Sequence, residues 1–130
     1  MMLHEKIGLG TVQFGTTYGI ANKTGQTLPA EVSRILDKAY EFGILTIDTA
    51  SAYGNAEEVL GRNRMERFSV VSKFMPATAS QSVSRQLEQT LSHLQVSTLY
   101  GYLAHRPASL FEDGSQWKEL ESQKKHGKVE

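Results

Sequence analysis

The sequence predicts an α/β protein built on a parallel sheet. Apolar runs suited to strands at Lys6–Val12, Leu45–Ile47, Phe68–Phe74 and Leu99–Ala104 alternate with segments of helical periodicity. That alternation, four times over, argues for parallel strands covered by crossover helices. Three consecutive strands also end in one ionisable residue each, at Asp48, Lys73 and His105. In α/β folds the carboxyl ends of strands are where sites are built. The pattern fits a doubly wound sheet and a barrel alike.

The elements follow in order. Lys6–Val12, KIGLGTV, carries Ile, Leu and Val for a strand, and its two glycines suggest close backbone approach. Gly8-Leu9-Gly10-Thr11 lacks the third glycine of a dinucleotide fingerprint and leads into a long loop, which weakens a Rossmann reading. Gln13 to Leu28 is polar and Gly-rich and contains Tyr18. A connection of about 15 residues is more often functional than idle. Pro29 opens a helix, Val32, Ile35, Leu36, Ala39 and Tyr40 recur at helical spacing, and Gly43 closes it.

The stretch ILTIDTASAYGNAEE (44–58) is the centre of the chain. A short strand delivers Asp48, a turn of small residues follows, and Tyr53-Gly54 precede a helix. Asn55 with Glu58 three residues on has the form of a capping box. FSVVSKF (68–74) is the third strand, ended by Pro76. From about Ser80 a helix carries Val83, Leu87, Leu91 and Leu94. LYGYLA (99–104) delivers His105-Arg106-Pro107. A helix over Ser115–Lys125 carries Trp117 and Leu120, and Lys128-Val129-Glu130 read as the start of a fifth strand.

Bulk properties narrow the class. The chain has 130 residues, 39% of them hydrophobic, with 14 basic and 14 acidic side chains. This suits a single globular domain over 1–130. Zero net charge leaves no electrostatic footprint for nucleic acid or an anionic membrane. No apolar run approaches the about 18 residues of a membrane span. MMLHEKIG lacks the apolar core of a signal peptide. With no cysteine there is neither a disulfide framework nor thiolate chemistry. A cytoplasmic protein is the expectation. No metal site is expected, because paired histidines at helical spacing and carboxylate clusters are missing.

Strand parity tests whether the polar residues converge. If Asp48, Lys73 and His105 share a face, Thr46, Ser69, Val71, Gly101 and Leu103 share it too. Leu45, Ile47, Val70, Tyr102 and Ala104 take the other, more apolar face, as expected beneath helices. The converging set has a joint chemistry. A partly buried lysine needs a partner, and Asp48 is the obvious one. An ammonium beside the Tyr53 phenol favours the phenolate, so the phenol can give its proton to a carbonyl oxygen gaining charge. His105 can hold or orient that oxygen. With no nucleophilic Ser or Cys arrangement in view, a nicotinamide hydride is the natural attacking group. Each residue also has a plain reading: Asp48 as a helix cap, Tyr53 as loop packing, Lys73 as a solvated edge charge and His105 as a turn histidine. Their recurrence at successive strand ends is what favours a site.

Ile7-Gly8-Leu9-Gly10-Thr11, IDTASAYGNAEEVLG (47–61), VVSKF (70–74) and YLAHRP (102–107) together resemble the aldo-keto reductase family, in its order and spacing, over nearly the whole chain. The resemblance implies a (β/α)8 TIM barrel that reduces aldehydes or ketones with NADPH. It places the family's catalytic tetrad on Asp48, Tyr53, Lys73 and His105, with Tyr53 as proton donor, Lys73 and Asp48 tuning it, and His105 orienting the carbonyl. Thr11 and Asp48 fall on cofactor-contacting positions near the nicotinamide end.

Two departures bear on this. Members of the family often carry a tryptophan after the first-strand Gly-Thr, where Val12-Gln13 stand here. A barrel of this kind takes about 250 residues, so this chain corresponds to the first four βα units, a half barrel. Most of the cofactor site is then expected in a carboxyl-terminal half. The expected partner is a small carbonyl substrate, together with self-association or that missing half. The alternative function is a non-enzymatic partner-binding or regulatory half barrel.

Overall fold

The computed structural model describes residues 3–130; Met1 and Met2 of the MMLHEKIG segment lie outside them. After a 3-10 turn over Leu3–Lys6 come β1 (Gly8–Gly10), α1 (Val12–Gly15), α2 (Pro29–Glu41), β2 (Thr46–Asp48), α3 (Ala56–Gly61) and a 3-10 turn over Met65–Arg67. Then follow β3 (Ser69–Phe74), α4 (Val83–Leu94), β4 (Gly101–Ala104), α5 (Ala108–Glu112) and α6 (Ser115–Lys125). The four strands pair in the order β1-β2-β3-β4, every pair parallel. Sequential parallel neighbours are the order in which a (β/α) barrel is wound, and all carboxyl ends therefore lie on one rim. Leu99 also forms a parallel bridge with Val129, where a fifth strand was expected.

The parity expectation matches the burial. Ile47, Val70, Ser72, Phe74 and Tyr102 are buried beneath the helices. Thr46, Asp48, Ser69, Val71, Lys73 and Gly101 on the opposite face are half-buried, and Leu103 is exposed. The core is the layer between the sheet and its helices. Phe74, Leu87, Val32, Leu36, Leu60 and Leu94 belong to this one core, all fully buried. Helix α2 starts with Pro29 at its first position, buries Val32, Leu36 and Ala39, and is followed by Gly43 at φ 74°. That left-handed conformation is open to glycine at little cost. Helix α4 is capped by Ser82, whose side chain accepts from the Arg85 amide, and buries Val83, Leu87 and Leu94.

Several local expectations are corrected. The first strand is only Gly8–Gly10, and Val12 belongs to α1. Its ladder stops because Gly10 pairs with Asp48, the last residue of β2. The approach expected at the β1 glycines is not made by the described residues: a side chain at Gly8 would make ordinary contact with Thr46, and one at Gly10 would meet none of them within 4 Å. Leu45 stays 43% exposed because it precedes the β2 ladder, outside the covered part of the sheet. Trp117 is 55% exposed, and its neighbour Gln116 is the buried residue of α6. The Gln116 amide donates to the Ser109 carbonyl and accepts from the Ala77 amide, pinning α6 to α5 and to the loop after β3. A glutamine with its polar atoms paired is as acceptable in that layer as an apolar group. Helix α5 had no expectation; its five residues are too few for a periodic signal.

Two outcomes follow from the packing. Phe74→Ala should lower the unfolding free energy by about 3–5 kcal/mol, as buried aromatic truncations do, read by urea denaturation. Tyr102 behaves differently, because burial pushes its phenol well above the usual tyrosine range and the Glu57 carboxylate adds to this. Among the described residues its buried hydroxyl has no partner in good hydrogen-bond geometry, and Thr90 beside it opposes the rise only in part. A folded-state value above the unfolded one means a contribution present below about pH 10 and lost as pH rises beyond it. Tyr102→Phe should therefore flatten the alkaline limb of a stability–pH curve and cost little at neutral pH.

Candidate active site

The four strand-end and loop residues converge on the rim. The Lys73 ammonium donates to both Asp48 carboxylate oxygens at 2.8 and 2.9 Å, to the Thr49 carbonyl at 2.9 Å and to the Tyr53 hydroxyl at 3.4 Å. It also lies 5.1 Å from the centre of the Tyr53 ring. His105 stands edge-on to Tyr53 with ring centres 6.0 Å apart. Its Nδ1 is buried and has no hydrogen-bond partner among the described residues. The Lys73 side chain is 17% exposed and that of Asp48 43%, so the cation is sheltered and the carboxylate is half in solvent.

The backbone explains this convergence. Asp48 pairs with Val71 and Lys73 with Leu103, so Lys73 sits two residues further up its strand on the same face as Asp48. Beyond β2 the chain keeps following β3: the Thr49 amide donates to the Val71 carbonyl, and the Ser51 amide and hydroxyl donate to the Lys73 carbonyl. The His105 amide donates to the Phe74 carbonyl, holding the end of β4 beside β3. Thr11 is fully buried, and its hydroxyl donates to the Asp48 carbonyl at 2.9 Å. Here Thr11 braces Asp48 from beneath and offers no exposed group of its own. Beside Asp48, the position above Gly10 is open.

The Tyr53 turn is held by backbone contact. A Cβ at Gly15 would collide with the Tyr53 carbonyl oxygen and the Ala56 amide, and one at Gly54 would collide with the Gly15 carbonyl. Gly54 also has φ 56°. Two glycines thus let α1 lie directly on the turn. The expected capping box does not form: Asn55 makes no side-chain cap bond. Its Oδ1 instead accepts from Gln26 at 2.8 Å, and Gln26 also donates to the Phe14 carbonyl. A tertiary partner has outcompeted the local cap, and through it the long loop is fastened to the Tyr53 turn. Within that loop Asn22 accepts from the Thr24 and Gly25 amides and donates to the Tyr18 and Gly25 carbonyls. Tyr18 itself is 60% exposed.

A separate cavity of about 360 Å³ lies between α3, α4 and the loop after β3, with Glu57, Gln86 and His93 in its wall. None of the four convergent residues lines it. Among the described residues no group of three or more His, Cys, Asp or Glu is placed to hold a metal ion. No helix among them is long and apolar enough to cross a membrane. Sequence reasoning missed Gln26, Gly15 and Glu57 as supports of the site. Only for Glu57 was a signal available: it shares a helix face with Leu60 and Gly61, three and four residues on, so it points inward.

Comparison with known proteins bears on the family and the fold. The model of the aldo/keto reductase family matches residues 6–130, and the chain belongs to that family. PA4992 of Pseudomonas aeruginosa, a protein assigned to the aldo-keto reductases, superposes with a TM-score of 0.79 at 30% identity, over 94% of this chain and 52% of its own. An aldo-keto reductase of Klebsiella pneumoniae, solved in complex with NADPH, gives 0.69 at 26% identity, over 94% of this chain and 42% of its own. An uncharacterised oxidoreductase of Schizosaccharomyces pombe is 30% identical over 97 residues, 70% of this chain and 30% of that protein. The chain thus spans about half the length of these solved relatives and less of the curated one. Its four-stranded sheet with alternating helices corresponds to half of their (β/α)8 barrel.

Replacing Gly15 by alanine should cost about 1–3 kcal/mol, because the obstructing atoms are backbone and the overpacking is relieved only by moving the turn. Urea denaturation measures the cost. In the same variant the Tyr53 and His105 ring resonances should shift in NMR spectra, because the turn carrying Tyr53 has to move, while those of Trp117 stay in place.

Proposed function

We propose that this chain carries the proton-transfer half of a carbonyl reductase site, working in a completed barrel to reduce an aldehyde or ketone with NADPH. The observation that carries the reading is the single ammonium of Lys73, which reaches Asp48, the Thr49 carbonyl and the Tyr53 hydroxyl at once. Tyr53 is the proton donor. As its proton leaves for the substrate oxygen, Lys73 stabilises the negative charge left on the phenolic oxygen, and Asp48 keeps Lys73 in place. His105 stands edge-on to that phenol and orients the substrate carbonyl through its ring.

NADPH, when bound, supplies a hydride to the carbonyl carbon. The residues present fit its reacting end: open space above Gly10 lies beside the half-exposed Asp48 carboxylate. The rest of its site belongs to four further βα units. The exposed Leu103 and half-buried Val71 on the inner face support such a covering half. It comes from the same polypeptide or from a partner. If no covering half carries a cofactor site, the chain acts as a partner-binding module; among the described residues no strand pairs with the outer edges of Gly8–Gly10 and Gly101–Ala104, which favours pairing of that kind.

The test joins this chain to the carboxyl-terminal half of the Pseudomonas aeruginosa relative and follows NADPH oxidation with a panel of aldehydes. The isolated chain should show negligible turnover and the joined protein should be active. Tyr53→Phe should then lower kcat by about 10²–10⁴-fold, the usual worth of general acid catalysis. Vigorous reduction by the isolated chain would mean that it holds a complete cofactor site. A joined enzyme indifferent to Tyr53→Phe would sink the proton-donor assignment.

A further inference from the structure

Behind the reactive face, on the helix side of the sheet, lies a buried carboxylate that the proposed chemistry does not use. Glu57 is 4% exposed. It accepts from the Ser72 hydroxyl at 2.6 Å and from the Thr90 hydroxyl at 3.0 and 3.2 Å. His93 Nδ1 lies 3.6 Å from its other oxygen. Ser72 and Thr90 are themselves fully or almost fully buried. Removing a carboxylate from water is costly, and a well-packed apolar residue in such a place often gives equal or greater stability. Stability alone is thus a poor reason for an acid there. What the acid does is join three elements by short, directional bonds: α3, β3 and α4.

The positions it joins are telling. Glu57 follows Tyr53 by four residues, across the tight Gly54 turn, and Ser72 directly precedes Lys73 on β3. The 2.6 Å bond thus ties the helix leading out of the Tyr53 turn to the strand carrying Lys73, through the opposite face of the sheet. Thr90 adds α4, against which α3 is already pressed: a Cβ at Gly61 would collide with the His93 carbonyl. On the other side of the turn the ties to β3 are longer: the Ser51 amide and hydroxyl donate to the Lys73 carbonyl at 3.2 and 3.1 Å, and Lys73 reaches the Tyr53 hydroxyl at 3.4 Å.

We propose that Glu57 is a positioning residue for the Tyr53–Lys73 pair: its carboxylate, held by Ser72 and Thr90, sets the separation of the two segments that carry them. The proposal rests on the roles given above to Tyr53 and Lys73, but its geometry is testable without turnover.

The experiment is competitive lysine acetylation of the 130-residue chain, read by mass spectrometry, with amide hydrogen exchange to confirm folding. Lys73 should react slowly, sheltered by Asp48, Thr49 and Tyr53, while Lys38 serves as the exposed reference. In Glu57→Ala the Lys73 rate relative to Lys38 should rise about tenfold, the effect of losing one hydrogen bond to a charged group. Ser72→Ala should move it the same way and Glu57→Gln should restore most of the protection, because an amide oxygen still accepts from Ser72. Glu58→Ala, one residue away on the exposed side, should change nothing. If Glu57→Ala does not fold, Ser72→Ala and Glu57→Gln decide the matter. Wild-type protection of Lys73 in a folded Ser72→Ala or Glu57→Ala chain would overturn the proposal and leave Glu57 as a packing group. Loss of protection in these variants, with a joined barrel inactive towards every carbonyl tried, would keep the positioning role and remove the reductase reading.

Discussion

A sheltered ammonium on a strand end governs the geometry around it. Lys73 has little contact with water and three oxygen partners near 2.9 Å, and only a cation so satisfied is tolerable there. The partners come from the end of β2 and the residue after it. Their placement follows from parallel pairing that continues past the ladder, with Thr49 and Ser51 bonded to Val71 and Lys73 carbonyls. Had β2 slipped by one residue, Asp48 would point under the helices and the lysine would face solvent unpaired. Register and ion pair thus enforce each other.

Around this pair the molecule is stiffened from two directions. On the reactive side α1 lies on the Tyr53 turn with backbone against backbone, permitted by Gly15 and Gly54, and the Gln26–Asn55 bond fastens the long loop to the same turn. On the helix side the Glu57–Ser72–Thr90 cluster fastens α3 to β3 and α4. A proton donor must be held to a fraction of an ångström, and supports from packing and hydrogen bonds on both sides are how folds achieve that. The family match spans residues 6–130 and so includes the rim residues, and the surrounding supports are built from this chain's own residues.

Much of this was legible in the sequence because period and position are local properties. The helices over Pro29–Glu41 and Ser115–Lys125, the strand ends at Asp48 and Lys73, and the division of side chains between two faces all followed from spacing. The errors share a cause. Asn55 had the local pattern of a cap, but Gln26, distant in sequence, offered a better bond. The helix over Ser115–Lys125 was marked by Trp117 and Leu120, yet its phase put Gln116 inward and left Trp117 exposed. The strand at Lys6–Val12 was cut short because its neighbour ended at Asp48, a fact that no property of the run itself contains.

The sequence by itself determined the alternation of strands and helices, the parity that lets Asp48, Lys73 and His105 share one face, and the motif set that marks the family. These depend on periodicity and residue type along the chain. Only the tertiary structure decided that one ammonium serves Asp48, Thr49 and Tyr53 together, that Thr11 is buried beneath Asp48, and that a second carboxylate, Glu57, is enclosed behind the pair. Each of those facts is a distance between segments remote in sequence, and such distances exist only once the sheet has set its register and the helices have closed over it.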